Sequence, residues 1–445
     1  MPASDGLAAE LRAVLAQSQA DNRLPSISGA VLRDGEVLWA DAVGLADAEA
    51  DEAATPEHQY RIGSITKTFT AVGVMQLRDA GELDLEDRLD RHLDVPARGD
   101  LTLRRMLSHG SGLQRELPGK VWETLQFPKS TEELLATLAE AEMVLAPGER
   151  WHYSNFAFIL LGEVIAKLTG MAYEDYVETR ILQPLGLTRT SFSPEPPTAV
   201  AYSVEPYTDV VQREPMLVER TGGIAAAGQL WSTVGDLCRW AAFLTSPDPD
   251  VLSAESLELM TSVQSMADPY RWSLAWGVGL MLVRSGERIY CGHDGGMPGY
   301  LANVLVDRDS GLGGAVLVNG SNVSPAEVTL ALVDKVRELH PPTTAAWRPE
   351  TPPPDDVVSA LGRWWSEGAE FVFRWYDGRL EARLAGAPNW MPWARFERVE
   401  GDRFRTVFGR ERGEPLELVR DGDGRVTKMY WATYPFDREH KVTGA

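Results

Sequence analysis

Arg61-Ile62-Gly63-Ser64-Ile65-Thr66-Lys67-Thr68-Phe69 opens a run with apolar residues at Phe69, Val72 and Leu77 and a glycine at position 81. That pattern predicts a helix from Thr66 to Ala80, ended by Gly81. A spacing of three puts Ser64 and Lys67 on one helical face, within reach of each other. A serine hydroxyl is a weak nucleophile at neutral pH, and a lysine whose charge is disfavoured by burial can take its proton. A helix start also leaves unpaired amides near the serine, suited to a developing oxyanion. Of the seven lysines in the chain, only Lys67 has a serine three residues before it. Alone, the spacing arises by chance too often to decide anything, so its company matters.

Two further elements lie downstream. Trp151-His152-Tyr153-Ser154-Asn155 precedes a second helical pattern, Tyr153 to Leu168, that stops at Gly170. A tyrosine can relay a proton where neighbouring cations lower its pKa, and an asparagine two residues on can donate to a substrate carbonyl. Tyr290-Cys291-Gly292-His293-Asp294-Gly295-Gly296-Met297-Pro298-Gly299-Tyr300 reads as a strand running into glycines, where a ligand or another chain can approach the backbone closely. By residue type alone, Tyr153 and Asn155 also fit a packing residue and a cap, and His293 a structural histidine in a turn.

Order and spacing together resemble the serine acyl-enzyme family of penicillin-binding proteins, class C β-lactamases and their esterase relatives. That family carries Ser-x-x-Lys, then Tyr-x-Asn, then Lys/His-x-Gly near a strand end. Here these are Ser64-Ile65-Thr66-Lys67, Tyr153-Ser154-Asn155 and His293-Asp294-Gly295. Leu107-Ser108-His109-Gly110-Ser111-Gly112-Leu113, Pro184-Leu185-Gly186-Leu187 and Gly222-Gly223-Ile224 look like family connectors, and the resemblance spans about residues 10–340. It implies an α/β (α+β) domain in which helices flank an antiparallel sheet. It further implies that Ser64 is acylated, that Lys67 and Tyr153 share general-base and general-acid work, and that Asn155 orients an acyl amide. The amides of Ser64 and Gly296 would form the oxyanion hole. His293 replaces the lysine of true β-lactamases and carboxypeptidases, so the fixed charge for a substrate carboxylate is missing and neither activity is expected to be efficient.

Composition removes other classes. With 44% apolar and 24% charged residues, the chain has the make-up of an ordinary globular protein. Its 65 acidic against 43 basic side chains give a net charge of −22, which repels nucleic-acid backbones and anionic lipid. No apolar run is long enough to span a membrane, and Met1-Pro2-Ala3-Ser4-Asp5-Gly6 lacks the basic start of a signal peptide, so a cytoplasmic protein is expected. Cys238 and Cys291 are read as buried free thiols. The histidines form no metal motif, with His109 and His152 read as structural, and neither a metal nor a cofactor is expected.

The clearest boundary is Pro341–Pro354, where six of fourteen residues are proline. It divides a catalytic domain (residues 1–340) from a C-terminal domain (residues 355–445) through a stiff linker. Upstream, Leu7 to Ala20 has amphipathic helical spacing, and Ile27–Leu32 and Glu36–Val43 form a strand pair turned at Asp34-Gly35. Strands are also expected at Gly277–Val283, Arg288–Gly292, Leu301–Asp307 and Gly313–Asn319, sharing one sheet with the first pair. Downstream, Glu370–Trp375, Arg379–Leu384, Arg395–Val399, Arg403–Phe408, Pro415–Arg420 and Val426–Tyr434 read as an antiparallel barrel or sandwich. From Trp347 in the linker onward lie seven of the fourteen tryptophans, which fit either an aromatic core or a lip on the pocket. Trp431, Tyr434 and Arg438 are the candidates for that lip, the arginine being suited to a substrate carboxylate.

Penicillin-binding-protein-type thioesterases are similar in length and carry a small C-terminal lipocalin-like domain. That likeness implies a peptidyl thioester, delivered by a peptidyl carrier protein, with a D-configured residue at the acylated end and closure into a ring. An intracellular esterase and a D-aminopeptidase or amidase are the alternatives. A non-catalytic acyl-binding sensor is a third, against which the intact Ser64, Lys67 and Tyr153 set counts.

Overall fold

The computed structural model describes residues 3–205, 207–214, 224–341 and 352–440. Gly222, Gly223, Trp347 and most of the proline-rich connector lie outside the described residues. The chain divides into two compact units, Met1–Pro342 and Thr343–Ala445.

The first unit is built on strands β1 (Ser26–Arg33), β2 (Glu36–Asp47), β3 (Glu52–Ala53), β4 (Ser265–Met266), β5 (Leu274–Trp276), β6 (Met281–Ser285), β7 (Arg288–Met297), β8 (Tyr300–Asp307) and β9 (Leu312–Val318). They form one antiparallel sheet in the order β3-β2-β1-β9-β8-β7-β6-β5-β4, so the ends of the unit meet at the β1–β9 pair. The turn between β1 and β2 falls at Asp34-Gly35, both at positive φ, which Gly adopts freely and Asp tolerates. Every residue of β1 except Arg33 is buried, because both faces of the sheet are covered.

On one face pack α1 (Asp5–Asp21) through Leu7, Leu11 and Leu15, and the C-terminal helix of the unit through Leu332, Val333 and Val336. The other face carries the larger helical layer, including α2 (Thr66–Asp79) and α3 (Asn155–Thr169). Both are buried along most of their length, α3 with a Ser154 N-cap and Gly170 at positive φ. Among the described residues no single helix is long and apolar enough to cross a membrane. Cys238 and Cys291 are free and buried.

Three boundaries differ from the sequence reading by four residues or more, the first being β2, which runs past Val43 to Asp47. Gly277–Leu280 is the turn joining β5 to β6, closed by the Gly277 amide on the Leu280 carbonyl, and not the start of a strand. Strand β7 does not stop at Gly292 but continues through His293-Asp294-Gly295-Gly296 to Met297, paired with β8 throughout.

The second unit is a closed eight-stranded antiparallel barrel running from Gly362 to Asp437. The Trp365–Asp437 pairing closes it, so no edge is left open. Two features escaped the sequence reading: the strand Gly362–Ser366, and the break of the last segment into Val426–Trp431 and Tyr434–Asp437 at Ala432-Thr433. The interior is filled by Trp364, Phe373, Phe396, Trp431 and Phe436. Trp431 lies in this core, its indole N–H donating to Thr406 Oγ1 at 2.9 Å, and so supplies no exposed lip. Tyr434 is exposed.

Candidate active site

Ser64 lies in a single 3₁₀ turn, Gly63–Ile65, immediately before α2, and not in the helix itself. Thr66 Oγ1 donates to the Gly63 carbonyl at 2.7 Å and accepts the Leu230 amide, which pins the turn to the chain beside it. One turn of winding later, Lys67 Nζ lies 3.0 Å from Ser64 Oγ and donates to the Ala227 carbonyl at 2.6 Å. Lys67 is fully buried. Burial pulls its pKa down to about 7, partly opposed by Glu116 and aided by Arg115. Its amine is therefore neutral in a large fraction of molecules at neutral pH.

Strand β7 meets this turn backbone to backbone. A Cβ on Gly295 would stand 1.9 Å from the Ile62 carbonyl oxygen, and one on Gly63 would stand 2.5 Å from the Gly296 nitrogen. Only glycines allow that approach. The β7–β8 hairpin turns at Pro298-Gly299, with Met297 and Tyr300 as the pair beside the turn. Antiparallel pairs alternate, so the Gly296 amide turns away from β8, toward the Ser64 side. The Ser64 amide belongs to a first helical turn, whose N–H groups lack intrahelical acceptors. By these two arguments neither amide is spent on pairing within its own element.

Tyr153 precedes α3. Its hydroxyl faces Ser64, and its ring centroid lies 5.2 Å from Lys67 Nζ and 4.8 Å from the Arg115 guanidinium. Burial raises its pKa, outweighing Ser64 and Arg115. The neighbouring cation of the sequence reading is present and does lower it, but by less than burial raises it, which favours the protonated phenol.

Asn155 begins α3 and donates through Nδ2 to Glu116 Oε1 at 2.6 Å. Its Oδ1 has no protein partner among the described residues. As arranged here it offers an acceptor, able to receive an amide N–H, where the sequence suggested a donor. His293 sits in β7, buried, with Nδ1 against the Asp294 carbonyl. Burial, with a contribution from Lys67, drops its pKa to about 3, so it is a neutral ring and supplies no charge for a carboxylate. Asp294, beside it, lines the cleft and receives Asn303 Nδ2 at 2.8 Å. Arg438 belongs to the barrel, where its guanidinium donates to the carbonyls of Ser359, Leu361 and Arg363 and stacks on Trp364. These bonds occupy three of its five N–H donors.

The cleft over Ser64 is lined by Glu116, Tyr153, Asn155, Trp276 and His293, with an apolar recess formed by Leu117, Trp122, Phe127 and Ile159. Sequence reasoning missed Arg115, Glu116, Trp122 and Trp276, and it gave His109 only a structural role. The first two follow directly on the Leu107–Leu113 connector, whose position was the one available signal. Among the described residues no three His, Cys, Asp or Glu side chains gather as metal ligands.

Known proteins resemble the chain in both sequence and structure. Esterase EstB of Burkholderia gladioli is 34% identical over 220 residues, covering 46% of this chain and 55% of EstB. The octameric penicillin-binding protein homologue from Pyrococcus abyssi superposes with a TM-score of 0.66 at 25% identity, over 96% of this chain and 99% of its own. A D-stereospecific amidohydrolase from Streptomyces sp. gives 0.63 at 28% identity, over 73% and 98%. The chain spans about half the length of the curated relatives it matches. Residues 353–438 match a domain of unknown function, DUF7586. The family model described as Beta-lactamase matches residues 11–337, most of the chain and the whole of the cleft. The chain belongs to the beta-lactamase family.

Proposed function

We propose that the chain is a serine hydrolase or acyltransferase that passes an acyl group through Ser64. The observation that carries this reading is the buried Lys67 amine, held at 3.0 Å from Ser64 Oγ with its pKa lowered to about 7. Neutral Lys67 takes the hydroxyl proton as Oγ attacks a substrate carbonyl, a contribution of roughly 10²–10⁴-fold. The amides of Ser64 and Gly296 receive the oxyanion, each such donor being worth about 10²–10³-fold. Tyr153, a protonated phenol facing Ser64, donates to the leaving group and recovers its proton from the Lys67 ammonium. Water or an amine then attacks the ester, with the same groups working in reverse.

The substrate class in this reading is a peptidyl ester, thioester or amide, and its most specific form is release of a peptidyl thioester as a ring. Neutral His293 disfavours substrates anchored by a carboxylate, and the unpartnered Asn155 Oδ1 suits an acyl amide N–H. The likeness to an esterase and to a D-stereospecific amidohydrolase favours plain ester or amide hydrolysis as the second reading. A D-terminated peptidyl thioester and a set of p-nitrophenyl esters separate the two, with products read by mass spectrometry. Cyclic peptide supports release as a ring. Ester turnover with neither ring nor free acid from the thioester excludes it.

A further inference from the structure

Of the buried titratable groups that this reaction leaves unused, His109 has the most specific surroundings. It lies in the Leu107–Leu113 connector at φ +55°, a conformation few side chains adopt without cause. Its carbonyl accepts the His152 amide at 2.7 Å, and its ring Nδ1 accepts the Ser154 amide at 3.1 Å. One residue therefore grips the chain on both sides of Tyr153. The imidazole also stacks on the Tyr153 ring, centroids 4.2 Å apart and planes 29° apart.

An Nδ1 that accepts an N–H carries no proton, so the neutral ring holds its hydrogen on Nε2, which has no partner among the described residues. The ring is fully buried and hemmed by Phe158 at 5.2 Å and by the edge of Trp276 at 5.4 Å. A group with an unused N–H in such a place is poorly explained by its own hydrogen bonding. Its three contacts to the 152–154 segment account for it.

We infer that His109 is a positioning residue that fixes the Tyr153 hydroxyl at the Ser64–Lys67 pair. This rests on the acyl-enzyme reading above. A displacement of about 1 Å in a reacting group costs on the order of 10²-fold, so loss of the grip is legible in the acylation rate.

The test is a double-mutant cycle in the full chain, His109→Ala with Tyr153→Phe, read as the rate of Ser64 acylation by a p-nitrophenyl ester. If His109 acts through the Tyr153 hydroxyl, H109A slows acylation by ~10²-fold in the parent but by less than about threefold in the Y153F background. Equal losses in both backgrounds overturn the inference, because a general structural role is indifferent to that hydroxyl. His109→Asn is the companion variant. Asparagine tolerates positive φ and can offer an oxygen to the Ser154 amide, so H109N should recover part of the H109A loss and serves for the cycle if H109A does not fold. A parent protein that is never acylated overturns the Ser64 reading at the first step, before His109 is altered, and this inference with it.

Discussion

Gly295→Ala tests how the cleft is assembled. The added Cβ would sit 1.9 Å from the Ile62 carbonyl oxygen, whereas ordinary contact begins at 3.4 Å, so strand and turn must part by about 1.5 Å. The obstacle is backbone on both sides, with no flexible side chain to swing away. Parting moves the Gly296 amide from the Ser64 turn, and a misplacement of that size predicts a loss in kcat/KM of roughly 10²–10³-fold. Overpacking costs about 1–3 kcal/mol, which a domain of this size should survive folded. The neighbouring Gly296→Ala places its Cβ 3.4 Å from Leu301 Cδ2, a side-chain atom. It should cost at least about ten times less activity than G295A, by the same geometric argument. The assay is ester hydrolysis beside a thermal melt of each variant. G295A with parental kcat/KM, or G296A with the larger loss, would refute the claim that β7 and the nucleophile turn are held in register by bare backbone.

Other outcomes follow from the same geometry. Neutral Lys67 is the active form, so kcat/KM should fall about tenfold per pH unit below pH 7 and level off above it, with no limb from His293. Because the folded-state value lies near 7 and the unfolded one near 10.4, the ammonium form opposes folding. That penalty is full below pH 7 and fades as pH rises toward 10.4. Lys67→Met should therefore raise denaturant stability at pH 6 by a few kcal/mol while abolishing acylation, and equal stability would contradict its burial as a costly charge. Glu116 and Asp294 line the cleft against Arg115, so esters with an anionic acyl group should be poor substrates beside neutral isosteres. Asp294→Asn should narrow that ratio, measured as paired kcat/KM values, and an unchanged ratio would remove Asp294 from the recognition. Trp431→Ala should destabilise the barrel by ~3–5 kcal/mol in chemical denaturation of the full chain, and a neutral result would deny its interior placement.

The parts legible in the sequence were those set by local spacing. Ser64 and Lys67 announce themselves three residues apart, Asp34-Gly35 marks its hairpin, and Gly170 ends its helix. Strand β7 was cut short because glycines lower strand propensity, although Gly295 is needed there by the Ile62 carbonyl, a contact made across more than two hundred residues. The Ala432-Thr433 turn holds two non-glycine residues at positive φ, so no turn signature marked it. Trp431 could face in or out on its aromatic character alone, and the barrel's pleat decided it. Arg115, Glu116 and His109 sit in irregular chain, where no periodicity points to a site. The direction of the Tyr153 shift depends on burial against Arg115, a balance that only the packed structure sets.

The central claim is that Ser64 carries the acyl group. Intact-mass and peptide-mapping mass spectrometry after reaction with a slowly cleared acylating probe tests it directly, with Ser64→Ala in parallel. One adduct on the parent chain, mapped to Ser64 and missing from S64A, is the predicted result. An adduct of equal yield on S64A would place the nucleophile elsewhere and contradict the account.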